Sequence, residues 1–536
     1  MARTLGKRLA ELILLRQFVM ILAYLRQRRS KVKVASSSAS TVSSTGHENQ
    51  HSSIRRRLLT SVIIGVSIEV ALVLGHAFEL PFLVRTEDAA MDFVMRQFRN
   101  VARNEHTAFV LLEADQATYE TWDQPLYFHR DRVQQMIEYS SNFEYEAEST
   151  LASDIRPIPA LIVVDIELNR PGDPIASEEL KAYLQRYSKA DNPPLVLVRT
   201  LKLSATDSVE DNIPRERPSF LDPVIADASN QNIFWASPHF ALDDDYRIRR
   251  WLLWLRTRDG AQLSSLPSVQ LVAQILLSEK SEQAPAARYQ ELIAKLDSID
   301  SCDPHTMGDA RPTIDIHRGG ESHVIDLCDE LTSQRLIYGI PYTIPQGQLR
   351  PKVGGVVPVL QRVGAMNLSQ LDRGFLGGSV VVVGGTYFET RDWHATPIGE
   401  MPGAVVLINA VHSLGANGLL EPPSAVTKML IVVPLVLLMV CLFAWLDTAL
   451  AYLAASAVVL VLLVPISFFM FASGVWLDFA LPLLAVQIHE FAAEYESRIH
   501  KPVMSADARS LAEAAATETA EESSEEDAVD DKPTDK

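Results

Sequence analysis

Four short runs of uninterrupted apolar residues mark the middle of the chain: Ala108–Leu112, Ala160–Val164, Leu195–Val198 and Val380–Val383. Each ends on turn-forming or charged residues, respectively Glu113-Ala114-Asp115, Asp165, Arg199 and Gly384-Gly385. Runs without alternation predict strands covered on both faces. Between them lie segments with helical spacing. Arg132–Tyr139 places Val133, Met136 and Ile137 on one face, and Glu178–Tyr187 does the same with Leu180, Tyr183 and Leu184. Ser268–Leu277 presents Val269, Val272, Ile275 and Leu276. Strands alternating with helices predict an α/β domain with a mixed sheet and helices on its faces. Tyr246–Arg256 alternates charge and bulk and reads as a strand near a sheet edge. Ala284–Ser322 reads as an insertion with a loosely held loop.

Four longer apolar stretches change the picture: Leu58–Ala77, Met429–Leu446, Ala449–Ala472 and Val475–Ala493. A membrane helix needs about 20 mostly apolar residues, so four transmembrane α-helices are expected beside the α/β domain. Arg55-Arg56-Arg57 precede the first run, and flanking Lys and Arg stay cytoplasmic. The α/β domain is then extracytoplasmic. The expected organisation is a basic cytoplasmic region (1–57), a first span (58–77), a periplasmic domain (78–425), three more spans (426–493) and an acidic tail (494–536), with both termini cytoplasmic in a bacterial inner membrane. The polar stretch before the first span is too long for a signal peptide. Leu9–Leu25 has amphipathic spacing and can lie on the inner leaflet or against a partner helix. Glu69 falls inside the first span, where an acid should face other helices rather than lipid.

Charge supports this arrangement. The net charge is −18, yet residues 1–57 hold twelve Lys and Arg against two Asp and Glu, while 505–536 hold three against eleven. The two ends are opposite in sign. From Ser505 onward the tail carries no aromatic residue and lacks the apolar surface to fold alone. The basic region is juxtamembrane, which explains it as a topology signal, so no nucleic-acid partner is expected. The bilayer itself is one partner. Of the three cysteines, Cys441 lies in an apolar span, and Cys302 and Cys328 lie in the soluble part without metal-ligand spacing. In an oxidising compartment Cys302 and Cys328 can close a disulfide worth about 3 kcal/mol; the alternative is two separate buried thiols.

Read in order, the residues from about 79 to 421 resemble a type-two CHASE domain, a sensory extracellular module associated with cyclases and histidine kinases. The resemblance rests on Glu113-Ala114-Asp115 after the first strand, on Trp122, Pro125 and Arg130, and on Val163-Val164-Asp165-Ile166 followed by Pro171. It continues with Asp243-Asp244-Asp245, Arg247 and Arg249-Arg250, and is strongest over Val381–Leu420, with Gly384, Asp392, Thr396-Pro397, Pro402-Gly403, Asn409-Ala410 and Leu419-Leu420. Three spans after the module also match that family's layout. Family members commonly carry a kinase, cyclase or phosphatase after the last span, and no such signature is found here. The resemblance therefore implies a sensor or assembly module without catalytic output. Such sensors often act as dimers, so a homo-oligomer is one option.

Parallel α/β sheets bind ligands at strand ends, which makes Asp115, Arg130, Asp165, Asp392 and His394 the candidate lining residues. Each competes with a simpler role as a turn cap or surface ion pair. His129, Asp165, Asp392 and His394 could in principle form a hydrolytic or metal site, but no nucleophile elbow or His-Glu-x-x-His helix accompanies them. No enzyme activity, metal or cofactor is expected. Two functions fit. In one, a ligand or periplasmic partner is sensed and the state relayed to a separate cytoplasmic or membrane protein. In the other, the chain is a structural scaffold of a membrane or envelope complex.

Overall fold

A computed structural model describes residues 80–98, 107–144, 157–202, 213–250, 252–260, 262–278, 283–299, 312–318, 321–328, 338, 360–370, 373–418, 425–446 and 448–471. The chain divides into two compact units, one built mainly from Arg85–Thr427 and the other including Lys428–Leu463.

The first unit opens with helix α1 (Pro81–Phe98), then β1 (Phe109–Ala114), α2 (Gln116–Thr121), α3 (Arg130–Ser141), β2 (Leu161–Asp165), α4 (Pro174–Tyr187), β3 (Leu195–Val198), β4 (Leu201–Lys202), β5 (Arg215–Glu216), α5 (Asp222–Ile225) and β6 (Ile233–Ala236). It continues through β7 (Ala241–Leu242), β8 (Ile248–Arg250), β9 (Trp254–Asp259), β10 (Gln262–Pro267), α6 (Val269–Leu277), α7 (Pro285–Asp297), β11 (Thr313–Arg318) and β12 (Glu321–Asp326). It closes with β13 (Leu360–Gly364), β14 (Val380–Gly385), β15 (Trp393–Thr396), β16 (Gly399–Pro402) and α8 (Gly403–Asn417).

Six strands form the central sheet in the order β13-β1-β14-β2-β3-β6, and every pairing in it is parallel. The main sheet is wholly parallel, and the expected mixed sheet is present as a second one, β10-β9-β5-β4. The reason lies in the apolar runs. Phe109 to Leu112, Leu161 to Val164 and Val380 to Val383 are buried throughout, because helices cover both faces. Alternate residues on a strand face opposite sides. Val110, Leu112, Ile162, Val164, Val381 and Val383 join one core with Val133 and Ile137 of α3 and Leu180, Tyr183 and Tyr187 of α4. Helices α6 and α8 pack beside the same strands and against each other, and the Gln274 amide donates to the Val411 carbonyl at 2.6 Å.

Helix starts follow local chemistry. Asp173 caps α4 by accepting from the Ile175 and Ala176 amides, with Pro174 in the first turn, and Ser268 caps α6. Within Ala284–Ser322, read as an insertion with a loosely held loop, Pro285–Asp297 is a helix with Leu292 and Leu296 buried, and β11 pairs antiparallel with β12. Residues 300–311 lie outside the described residues. Cys328 is disulfide-bonded and buried, next to Leu327, whose carbonyl accepts from the Trp254 indole at 2.8 Å. Cys302 lies outside the described residues, and Cys441 is free.

The expected strand over Tyr246–Arg256 is divided between β8 and β9, which belong to different sheets. Charge explains the break. The Arg249 side chain is 6% exposed and meets Asp92 of α1 at 2.9 Å, together with Asp243 and Asp245 at 2.7 Å each. Arg247 meets Asp92 at 2.6 Å, and Arg250 pairs with Asp243 and Asp88. Two arginines of β8 and Arg247 just before it are thus committed to carboxylates of α1 and of the β7–β8 turn.

In the second unit, α9 (Ala425–Trp445) is an apolar helix of 21 residues with Pro434 inside it. A further helical run begins with α10 (Thr448–Val458) and passes through a π-helical turn at Val459–Leu463; its continuation α11 (Val464–Phe471) groups with the first unit. Pro465 has no N–H to donate to the turn before it, which accounts for the local widening. Among the described residues one helical run, Leu450–Phe471, is long and apolar enough to cross a membrane. It coincides with the third expected span, and α9 coincides with the second. The first and fourth, with Glu69, lie outside the described residues.

Candidate functional site

The carboxyl ends of parallel strands leave a crevice where the outgoing connections diverge. Here β2 ends on Asp165, β14 on Gly384-Gly385, and β6 leads into Ser237-Pro238-His239. A cleft of about 890 Å³ opens at these ends, within the usual range for a small-molecule site. Its lining includes Arg130, Asp165, Asp392 and His394. Four of the five expected residues therefore share one cavity.

The fifth, Asp115, is elsewhere. Its carboxylate caps α2, accepting from the Thr118 amide at 2.9 Å and the Thr118 hydroxyl at 2.6 Å. Its neighbour Glu113 is fully buried and pairs with Arg362 of β13 at 2.8 Å, while the Thr386 hydroxyl donates to it at 2.7 Å. The acidic turn after β1 is thus spent on internal contacts. His129 is the N-cap residue of α3 and makes an edge contact with the Trp122 ring.

Asp392 owes its position to a glycine. A Cβ on Gly403 would stand 2.1 Å from Asp392 Oδ2, so the carboxylate occupies space that any side chain at the first position of α8 would fill. The Gly403 amide donates to the Asp392 carbonyl at 2.8 Å. The helix dipole favours an anion at this end. His394, two residues along β15, holds its Nε2 at 2.8 Å from Asp392 Oδ1. Gly384 works similarly. A Cβ there would lie 2.9 Å from that of Ala404 and 3.6 Å from that of Asp165, so the glycine lets α8 approach the strand end.

Asp165 lines the cleft at the end of β2 and is half-buried. Burial pushes its carboxyl well above the usual range, and the nearby Asp392 charge pushes it further. Among the described residues no hydrogen bond or ion pair reaches this carboxyl. Arg130 differs. It is 3% exposed, and its guanidinium donates to the carbonyls of Phe128, Glu167 and Arg170 at 3.3, 3.1 and 2.7 Å. It fastens the loop after β2 to the start of α3. Burial lowers its pKa, with Glu167 opposing.

Sequence reasoning missed His239 and the aromatic wall. Tyr119 and Tyr387 stack with ring centroids 4.3 Å apart, and Tyr127, Phe128 and Phe240 line the same cavity. Burial lowers the His239 pKa against the opposing charge of Asp392. The signal that could have found it is a strand end: Ile233-Phe234-Trp235-Ala236 is an apolar run as long as β3, and His239 follows it.

The raised Asp165 carboxyl makes a pH prediction. Between its unfolded value, about 3.9, and its higher folded value, the folded chain holds more protons than the unfolded chain, so stability falls as pH rises through that window. Asp165→Asn keeps the shape and removes the titration. Its denaturant midpoint should exceed that of the wild type near neutrality and lack the decline attributable to this group. Identical pH profiles for the two proteins would refute the assignment.

No curated protein and no solved structure matches the chain. A sequence model described as the CHASE2 domain matches residues 68–450. That stretch is well over half of the 536 residues, and the chain therefore belongs to the CHASE2 domain family.

Proposed function

We propose that this CHASE2 sensor is a multi-pass inner-membrane protein with both termini cytoplasmic. It binds a small ligand in the cleft and passes the bound state through α1 to a separate cytoplasmic partner. One observation carries the reading: the walls of the cleft and α1 are fastened together. Leu242 and Ile248 of the β7–β8 hairpin line the cavity, and arginines of the same hairpin grip Asp88 and Asp92 of α1. Arg96 of α1 donates to the Pro397 carbonyl at 2.7 Å, in the hairpin that carries Asp392 and His394. Arg247 also makes a β-bridge to Ala395. A ligand that moves either hairpin must therefore move α1, which directly follows the first apolar stretch in sequence. Such a relay requires different affinities for the two arrangements.

Partner recovery from intact membranes tests this. The proteins crosslinked to the full chain should change on Asp392→Ala and on deletion of the acidic tail. An unchanged set with the cleft variant would favour the scaffold, which should lose partners only when an interface patch is altered. Topology is checked with thiol reagents on spheroplasts: an Asp207→Cys variant should label from outside and a Ser524→Cys variant should not. The reverse pattern would overturn the orientation.

A further inference from the structure

The charges of the cleft divide by commitment. Arg130 has no donor to offer a ligand at its Nε, which is sealed from solvent and unpartnered, and its terminal nitrogens already serve three carbonyls. Arg217 is 41% exposed and faces Glu167 at 3.7 Å. Among the described residues Asp165 has no partner cation, and Asp392, whose side chain is 45% exposed, pairs with His394. Asp165 is thus a half-buried carboxyl without a counter-ion among the described residues, in a lining that also carries the stacked rings of Tyr119 and Tyr387. Carboxyl groups in an aromatic-lined cavity suit an organic ammonium, which gains both an ion pair and the attraction of ring faces. An anion would find the buried Arg130 guanidinium occupied, and the lining cation without a partner among the described residues, Arg170, is exposed.

We propose that the cleft takes an organic cation, a primary or quaternary amine, with Asp165 and Asp392 as its counter-ions and the Tyr119–Tyr387 wall against its charged end. The inference rests on the sensor reading above and names the ligand class of that same site. It carries a proton balance. The amine arrives positively charged and favours the ionised form of Asp165, so a proton held by that carboxyl passes to solvent on binding. Other titratable or charged groups lining the cavity are Asp392, Glu167, Glu389, His394, His239, Arg130, Arg170 and Arg217, with the hydroxyls of Tyr119, Tyr127 and Tyr387, so the Asp165 contribution is isolated by substitution.

The test is calorimetry on the full chain in lipid nanodiscs. The probes are benzylamine, agmatine and choline, with benzyl alcohol and benzoate as uncharged and anionic counterparts of the first. At least one amine should bind, with the counterparts about tenfold or more weaker. Asp165→Asn and Asp392→Asn should each weaken the amine about tenfold or more while keeping a cooperative melt. Affinity should rise as pH rises through the raised range of Asp165, with proton release seen across buffers of different ionisation heat, and Asp165→Asn should remove that release. Failure of every amine to bind, equal binding of benzyl alcohol, or an unaffected Asp165→Asn variant would overturn the cation assignment. Binding of benzoate or benzyl alcohol alone, with altered partner recovery, would overturn the ligand class and leave the sensor standing. Amine binding with these features but no change in recovered partners would overturn the sensor and leave the site.

Discussion

Replacing Arg249 by methionine is expected to cost the α/β unit about 3–5 kcal/mol. The guanidinium makes five hydrogen bonds to three carboxylates: Asp92 at 2.9 and 3.1 Å, Asp245 at 2.7 and 2.8 Å, and Asp243 at 2.7 Å. The Asp92 and Asp243 side chains are 5% and 8% exposed, so removing the cation strands charge where water cannot reach it. Burial alone would lower the Arg249 pKa; the Asp245, Asp92 and Asp243 carboxylates outweigh it and raise it further. Arg247 and Arg250 retain their own contacts to Asp92 and Asp243, which places the loss toward the lower end. The midpoint of chemical denaturation gives the answer, and a shift equivalent to under about 1 kcal/mol would show the cluster to behave like exposed pairs. Added salt should restore little, because buried pairs are weakly screened. The pH dependence has a defined sign. The hydrogen bonds from Arg249 hold the Asp245 carboxyl below its ordinary value, so its contribution is present above the unfolded pKa and is lost as pH falls through the folded one. The same variant should loosen α1, and protection of α1 amides from exchange should fall before that of β14.

Gly403→Val is the second large effect. The first added carbon already falls 2.1 Å from Asp392 Oδ2, and the branches need further room between β15 and the start of α8. Overpacking of this kind costs about 1–3 kcal/mol. The carboxylate must leave the helix end, and its 2.8 Å contact with His394 goes with it. Gly403→Ala separates the two consequences: alanine regains about 0.5–1 kcal/mol of helix preference, so the fold should melt near the wild-type temperature while Asp392 is still expelled. Amine affinity should then drop about tenfold in both variants, with a clear stability loss in valine only. Unchanged affinity in Gly403→Ala would show that the placement of Asp392 does not matter to the cleft.

The strands at the heart of the sheet were legible because burial on two faces demands an unbroken apolar run. Strand β13 was not, since Gln361 and Arg362 interrupt it, and both are buried at the edge because Arg362 neutralises Glu113. Helix α7 was hidden by its alanines and polar residues; Pro285 in its first turn was the available cue. Strand-end position brought Asp165, Asp392 and His394 into view together. The same position misplaced Asp115, because an aspartate that caps a helix and one that faces a cavity both follow a strand. Only the short helix after β1, with Thr118 returning two hydrogen bonds, separates the cases.

Strand β14 seats itself between β1 and β2 although it is made long after both. Until the chain has been made past Gly385, the sheet lacks its middle rung, and the apolar edges of β1 and β2 have no lasting neighbour. Late closure of this kind is slow and leaves sticky intermediates. A chain halted before that point therefore holds a half-built sheet rather than a smaller working module.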